Sequence, residues 1–338
     1  MKVFIVGGTG LLGSEGAKVL IERGHEVTAI ALPPLPAGAE LPPEMKVEFG
    51  NYLELSDDEL RQHLTGMDAI VFAAGVDERV EAGPPIYELY RKYNIEPVRR
   101  LFGIAKQCGV RHAVVCGSYF SYFDREWPEM KLAETHPYIA SRKEQERVAL
   151  SFADDTFDVA VLELPYIFGV QKGRKPVWVI VAGALAKMPG VTFWPKGGTT
   201  MVTVRQVGEA IAGAVEFNRG GKCYPIGWYN KTWKEMLAIF HKEMGKPKRK
   251  TLSIGVGMFG IAGRAITRMK KKEGVECGLD PSKFAPLQCA ETYIDKSLGC
   301  LPLGVKEDDI DAAIAASARL SFDVVKGKTG EILSMKAE

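Results

Sequence analysis

Met1-Lys-Val-Phe-Ile-Val-Gly-Gly-Thr-Gly-Leu-Leu-Gly13 is the stretch whose reading decides the fold. An apolar run, Val3 to Val6, breaks into glycines at positions 7, 8, 10 and 13, and an amphipathic stretch with helical spacing continues through Leu20. The order is strand, tight turn, helix. Gly7 lets the chain turn out of the strand, Gly10 removes the Cβ that would block a pyrophosphate, and Gly13 lets the helix pack close to the sheet. The helix N-terminus, at Leu11 and Leu12 behind Thr9, adds free N–H groups and a partial positive charge. Glycines in this pattern are a weak signal alone and a strong one between a strand and a helix. The segment predicts a bound dinucleotide.

Outward from this motif, residues up to about 170 alternate strand-like and helix-like segments, the pattern of a parallel α/β sheet. Strands are predicted at Val3–Val6, Glu26–Ala31, Met45–Phe49, Ala69–Ala73, His112–Cys116 and Asp158–Leu162. Helices are predicted to about Glu22, from near Ser56, over Tyr87–Gln107 and over Tyr138–Phe152. Pro33-Pro34-Leu-Pro36, with Pro42-Pro43, reads as a loop that stays out of the sheet. Beyond Gly169 the pattern loosens. Val177–Lys187 reads as a helix, Val202–Phe217 as a strand end plus helix returning to the sheet, and Thr232 as the N-cap of a helix to about Gly245. Ser253–Lys272 joins an apolar front to a basic tail, and its glycines suit a packed cap element better than an interfacial helix.

Composition bounds the function. An apolar fraction of 46%, a charged fraction of 25% and a net charge of +2 describe an ordinary globular chain with no global field toward nucleic acid or membrane. No apolar run reaches the roughly 18 residues of a membrane span, and the N-terminus reads as a core strand rather than a signal peptide. Cys108, Cys116, Cys223, Cys277, Cys289 and Cys300 lie far apart, and His25, His63, His112 and His241 show no ligand spacing. No metal is therefore assigned, and the cysteines read as small buried side chains in a cytoplasmic protein.

A second set of residues brings in a family. Val114-Val-Cys-Gly-Ser118-Tyr-Phe-Ser-Tyr122 resembles the strand-end serine motif of extended and atypical short-chain dehydrogenases/reductases, the group with epimerase/dehydratase-like members. His136-Pro-Tyr138-Ile-Ala-Ser141 resembles their catalytic-tyrosine segment, Leu164-Pro165-Tyr-Ile-Phe-Gly169 their proline loop, Asn94 their helix-four asparagine, and Ala73-Ala74-Gly75 their cofactor-bordering loop. The resemblance implies an α/β, Rossmann-type doubly wound parallel sheet with a smaller C-terminal cap region. It divides the chain into a dinucleotide-binding domain at 1–170, with 200–228 returning to it, and a substrate-binding cap at 171–199 and 229–338.

The same resemblance implies roles. Tyr138 would be the acid/base, Ser118 would orient the substrate oxygen, and Asn94 would support the proton relay. Gly7, Thr9, Gly10, Leu11, Leu12, Gly13, Ala73, Ala74, Gly75, Tyr138, Arg142 and Pro165 would line the cofactor, with Asn51 a candidate at the adenine. The implied function is NAD(P)-dependent oxidation or reduction of a small carbonyl or secondary alcohol. The alternatives are epimerisation or dehydration with tightly held NAD, and a dinucleotide-sensing or RNA-binding protein on the same fold. The implied partners are a small-molecule substrate and, by family analogy, a second copy in a homodimer.

Three departures qualify this picture. The family's lysine four residues after the tyrosine is Arg142, with Lys143 one further. A guanidinium supplies charge and hydrogen bonds but not a neutral base. The readings are a Tyr–Arg pair, a shift bringing Lys143 inward, or a site that binds without turnover. Ala31-Leu32-Pro33-Pro34 offers neither the acid of an NAD site nor the arginine of an NADP site, so the preference stays open. Leu164 and Thr203-Val-Arg205-Gln206 replace the segments that many sugar-nucleotide members carry, which favours a smaller or less charged substrate. Tyr119, Phe120, Tyr122 and Phe123 read equally as pocket or core, and His136 reads as a solvated loop residue. The basic runs Lys246–Lys250 and Arg268–Lys272 read as a solvated face.

Overall fold

The structure, a computed structural model, describes residues 1–35, 38–330 and 332. Pro36 of the proline loop and the end of the cap range lie outside these. The first half runs β1 (Lys2–Val6), α1 (Leu11–Glu22), β2 (Glu26–Ala31), β3 (Lys46–Phe49), α2 (Asp57–Leu64), β4 (Ala69–Phe72), β5 (Glu81–Ala82), α3 (Tyr87–Tyr90), α4 (Glu96–Gln107), β6 (His112–Cys116), α5 (Tyr119–Glu126), α6 (Leu132–Thr135), α7 (Pro137–Leu150) and β7 (Asp158–Glu163). The second half runs β8 (Tyr166–Phe168), α8 (Val179–Lys187), β9 (Thr192–Pro195), β10 (Gly198–Thr203), α9 (Val204–Phe217), β11 (Gly221–Pro225), β12 (Tyr229–Thr232), α10 (Trp233–Glu243), β13 (Thr251–Ile254), α11 (Val256–Lys272), β14 (Glu276–Cys277), α12 (Ala285–Gln288), β15 (Glu291–Thr292) and α13 (Ile310–Val325).

Seven parallel strands form the central sheet in the order β3-β2-β1-β4-β6-β7-β11. The chain starts in the middle of this sheet and reverses direction between β1 and β4, which opens a crevice at the carboxyl ends of those two strands. Side chains alternate between the two faces of the sheet. Val3 and Ile5 pack with Val19, Val207 and Ile211 of α1 and α9, whereas Phe4 and Val6 pack with Leu60, Phe102 and Val148 of α2, α4 and α7. Glycines set the close approach of α1 to α9: a Cβ at Gly16 would lie 3.0 Å from Ile211 Cδ1, and one at Gly208 2.8 Å from the Glu15 carbonyl. Helix starts follow local chemistry, since Ser56 and Thr232 both close capping boxes with the glutamate three residues on.

Two differences from the sequence expectation concern the site. The helix expected over Tyr87–Gln107 is not regular, because a π turn at Arg91–Ile95 separates α3 from α4. Pro97, in the first turn of α4, marks the break: it has no N–H to give the carbonyl four residues before it, so a regular α-helix cannot run through this point. β11 is a seventh strand, paired with β7, that periodicity did not single out. Its sequence, Gly-Lys-Cys-Tyr-Pro, lacks an apolar run because it lies at the sheet edge with its first residues exposed.

The remaining elements build a second layer of structure. β12, β10 and β15 form a small sheet with β8 beside β10. Phe168, Trp178, Met201, Trp233, Phe240, Ile314 and Phe322 bury a core between this sheet and α8, α10 and α13. The chain crosses back once more: Cys300, Leu303 and Val305 join the core under α9, so this piece of the expected cap packs on the dinucleotide-binding half. Cys116, Cys289 and Cys300 are buried and all six cysteines are free.

Candidate active site

The glycine turn after β1 is built by close backbone contact. Gly7 has φ +83°, and its N–H bonds the Ile30 carbonyl at 3.1 Å. A Cβ at Gly13 would lie 2.3 Å from the Gly7 carbonyl oxygen and 2.7 Å from Gly8 Cα, backbone that cannot yield. Gly10 is the N-cap of α1, and no side chain caps this end. The amides of Leu11, Leu12 and Gly13 thus face outward with the helix dipole behind them, a cradle for an anionic phosphate. Ala73 borders the turn, its carbonyl 2.9 Å from where a Gly7 Cβ would stand. These residues fit a dinucleotide pyrophosphate.

Two cradle residues escaped the sequence reading. Gln171 Nε2 donates to the Thr9 carbonyl (3.0 Å) and to Ser14 Oγ (3.2 Å), while Arg174 donates to the same Thr9 carbonyl (3.2 Å) and to Gln171 Oε1 (3.0 Å). They bring a positive charge onto the glycine turn from a loop more than 150 residues away. The visible signal was Gln171-Lys172-Gly173-Arg174, a basic turn directly after the proline loop. Asn51, the adenine candidate, accepts from the Leu53 amide at 3.1 Å and shapes its own turn.

Tyr138, Arg142 and Asn94, three of the four catalytic candidates, meet in one buried knot that Ser118 does not join. Arg142 Nε donates to the Tyr138 hydroxyl at 3.1 Å, and its Nη atoms donate to Gln145 Oε1 (2.8 Å), the Val76 carbonyl (3.3 Å) and the Cys116 carbonyl (3.5 Å). Both residues are buried. Lys143 turns away and pairs with Asp124 at 2.6 Å, so it does not take the inward position. Asn94 is fully buried at the π turn and clasps Val76, accepting from its N–H at 2.8 Å and donating to its carbonyl at 2.9 Å. Gln145 closes the ring by donating to the Asn94 carbonyl at 2.7 Å. The clasp also explains Gly75, at φ +111°, where a Cβ would strike Asn94 Oδ1 at 2.4 Å. Insertion of a π turn at such a point is a recurring feature of functional sites.

Burial raises the Tyr138 phenol above its ordinary value; Arg142 opposes this, and Glu78 and Asp77 add to it. The phenol therefore holds its proton at neutral pH. Ser118 caps α5, its Oγ accepting from the Phe120 amide at 3.4 Å, and is buried at the end of β6. Pro165 is buried in the link from β7 to β8, and Ala74 is half-buried beside Gly75.

Two residues read otherwise from sequence. His136 is not a solvated loop residue: it is 1% exposed, and its Nδ1 accepts from the Asp280 amide at 3.0 Å. Burial pushes its pKa down to about 4. The aromatic cluster after β6 is core, with Tyr119, Phe120 and Phe123 buried beside Tyr138, Leu287 and Ile294. The Tyr119 hydroxyl is spent on Thr199 at 3.1 Å. The segment after α11 covers the start of α7, where the Tyr138 N–H bonds the Gly278 carbonyl at 2.9 Å.

Two outcomes are expected. Gly13→Ala forces backbone apart, which costs roughly 1–3 kcal/mol of stability and weakens dinucleotide binding at least about tenfold in calorimetric titration. His136 is neutral in both states above its unfolded value near 6.5. As pH falls toward 4, the unfolded chain gains a proton that the native imidazole refuses. Stability attributable to His136 is then lost, by up to about 3 kcal/mol. Urea unfolding across this range should show the loss in the wild type, and His136→Asn should lack this component.

Comparisons with known proteins bear on the fold and the family. A curated relative, a 3-beta-hydroxysteroid dehydrogenase from Mycolicibacterium neoaurum, is 27% identical over 121 residues, which is 35% of this chain and 32% of that protein. The Bordetella bronchiseptica enzyme WbmH, solved with NAD+, superposes with TM-score 0.67 at 18% identity, covering 96% of this chain and 99% of its own. UDP-glucuronic acid 4-epimerase from Bacillus cereus, solved with UDP-glucuronic acid and NAD, gives TM-score 0.69 at 14% identity over 96% and 100%. At such identities these structures establish the fold. The model of the NAD dependent epimerase/dehydratase family matches residues 3–224, from the first strand to the edge strand of the sheet, and the chain belongs to that family.

Proposed function

We propose that the protein is an NAD(P)-dependent oxidoreductase that interconverts a small carbonyl compound and its secondary alcohol. The observation that carries the reading is the buried Tyr138–Arg142 pair beside the glycine cradle. A nicotinamide held there supplies the hydride acceptor or donor. In reduction, Tyr138 gives its proton to the substrate oxygen, and Arg142 Nε, already donating to that hydroxyl, stabilises the phenolate left behind. Ser118 orients the oxygen from the end of β6. Asn94, Gln145 and the Val76 carbonyl hold Arg142 in place. Because arginine stays protonated, the proton returns to Tyr138 from solvent rather than through Arg142.

The substrate side favours a carbonyl compound over a sugar nucleotide. Thr203 and Gln206 close the capping box of α9, Gln206 also donates to the Lys306 carbonyl, and Arg205 pairs with Glu15, Glu22 and Glu209. No side chain of this segment is left to bind a diphosphate. The relative named a hydroxysteroid dehydrogenase supports a secondary alcohol. NAD in the solved neighbours supports NAD(H) as the first cofactor to test.

The test is a panel of ketones, aldehydes, secondary alcohols and UDP-sugars, followed by NAD(P)H absorbance. Stoichiometric cofactor conversion with a carbonyl or alcohol supports the reading; UDP-sugar isomerisation without net cofactor change overturns it in favour of an epimerase. Tyr138→Phe should lower kcat by about 10²–10⁴ while leaving cofactor affinity nearly unchanged. Since burial holds the phenol above its ordinary value, reduction should be flat from neutral to mildly alkaline pH. Oxidation, which needs the phenolate, should rise about tenfold per pH unit over that range.

A further inference from the structure

α11 is amphipathic in the reverse of the usual sense. A helix that covers a core turns its large apolar side chains inward. Here the inward line is Gly260, Gly263 and Thr267. A Cβ at Gly263 would lie 1.9 Å from the Pro281 carbonyl oxygen, so the helix backbone rests directly on the segment beneath it. At 100° per residue, Met258, Ile261, Ala265 and Met269 fall together on the opposite side. Met258 is 64% exposed, Ile261 63% and Met269 49%. The apolar surface continues into the strand that feeds the helix: Leu252 and Phe193 pair in register between β13 and β9, and both are exposed.

Charge on this element is just as one-sided. From Lys246 to Lys272 the chain carries nine of its 44 Lys and Arg residues and no Asp or Glu, while the whole chain stands at only +2. Lys270 is engaged with Glu81 and Glu273, and Arg249 with the Leu185 and Met188 carbonyls. Lys246, Lys248, Lys250, Arg264, Arg268, Lys271 and Lys272 are exposed. Arg264, Arg268, Lys271 and Lys272 flank the apolar stripe along one side and at its C-terminal end.

We propose that this face docks on the surface of an anionic phospholipid bilayer, with α11 lying in the interface plane. Apolar side chains of intermediate size reach the acyl boundary and flanking cations pair with headgroup phosphates, the arrangement that holds interfacial helices. Among the described residues no helix is long and apolar enough to cross a membrane, so the contact is one of docking. A second copy fits the face poorly, because an isologous pairing would set two basic clusters against each other, the neighbouring Glu81 and Glu273 being already paired with Lys270. RNA fits it poorly too, since the outward stripe of the helix, Met258, Ile261, Ala265 and Met269, carries no ring and leaves Phe193 as a single one beside it.

Docking at this place bears on the catalytic segment. Thr267 accepts from the Ser282 amide at 3.1 Å and donates to Asp280 Oδ1 at 3.0 Å; the Asp280 amide bonds His136, two residues before Tyr138. The helix on the bilayer is thus fixed to the strap over the start of α7.

Co-sedimentation of the full chain with mixed phosphatidylcholine–phosphatidylglycerol vesicles tests this, with pure phosphatidylcholine as control. Binding to the anionic vesicles should weaken with added salt. Arg264→Gln/Arg268→Gln/Lys271→Gln/Lys272→Gln should weaken it about 100-fold or more. Met258→Ser/Ile261→Ser/Met269→Ser, all on exposed positions, should weaken it about tenfold or more at unchanged charge. Absence of vesicle binding by the wild type overturns the proposal. So does binding insensitive to the apolar triple substitution, which would mean simple charge adsorption. RNA binding without vesicle binding, or a dimer that the triple substitution dissociates without vesicle binding, overturns it in favour of those occupants.

Discussion

One backbone carbonyl, that of Val76, holds the candidate active site together. It receives Asn94 Nδ2 and Arg142 Nη2 at once, from the π turn before α4 and from α7, while Asn94 also accepts from the Val76 amide. Three segments that are far apart in sequence are thereby locked at the carboxyl end of β4. A hydrogen bond to a charged donor contributes about 1.5–3 kcal/mol, and each buried partner left unpaired costs a comparable amount. Every side-chain nitrogen and oxygen of Asn94, Gln145 and Arg142 has a partner in this ring of hydrogen bonds, and a well-satisfied buried polar network makes a site rigid.

That ring accounts for the arginine. A lysine ammonium is a point charge on a flexible stem, whereas a guanidinium offers donors in a fixed fork. Arg142 uses that fork to bond a phenol, an amide oxygen and two carbonyls. Its contribution at Tyr138 is positive charge and one hydrogen bond. Burial still prevails and keeps the phenol protonated, with Asp77 and Glu78 acting in the same direction as burial.

The site and the basic face share a structural link. Gly278 lies against Tyr90 so closely that a Cβ there would stand 1.8 Å from the tyrosine hydroxyl, and Gly263 lies as closely against Pro281. Glycines on both sides of the strap let α11 sit low over the start of α7. The strap thus joins α11 to His136, two residues before Tyr138.

The parallel sheet and the glycine cradle were legible in the sequence because each rests on local chemistry, whereas Ser118, Tyr138, Asn94 and Arg142 entered as candidates through the resemblance to a family. A buried strand needs an apolar run, a tight turn needs glycine, and a helix start needs a cap, all within a few residues. The partners of those residues were not legible. Gln171 and Arg174 on the Thr9 carbonyl, Lys143 on Asp124 rather than Tyr138, buried His136, and the strand at Gly221–Pro225 all depend on segments brought together from afar. Likewise the sequence of α11 shows apolar and basic residues, but only packing decides that its glycines face in and its methionines face out. Hydrogen-bond valence and close packing are properties of neighbours in space, and the tertiary structure alone chooses those neighbours.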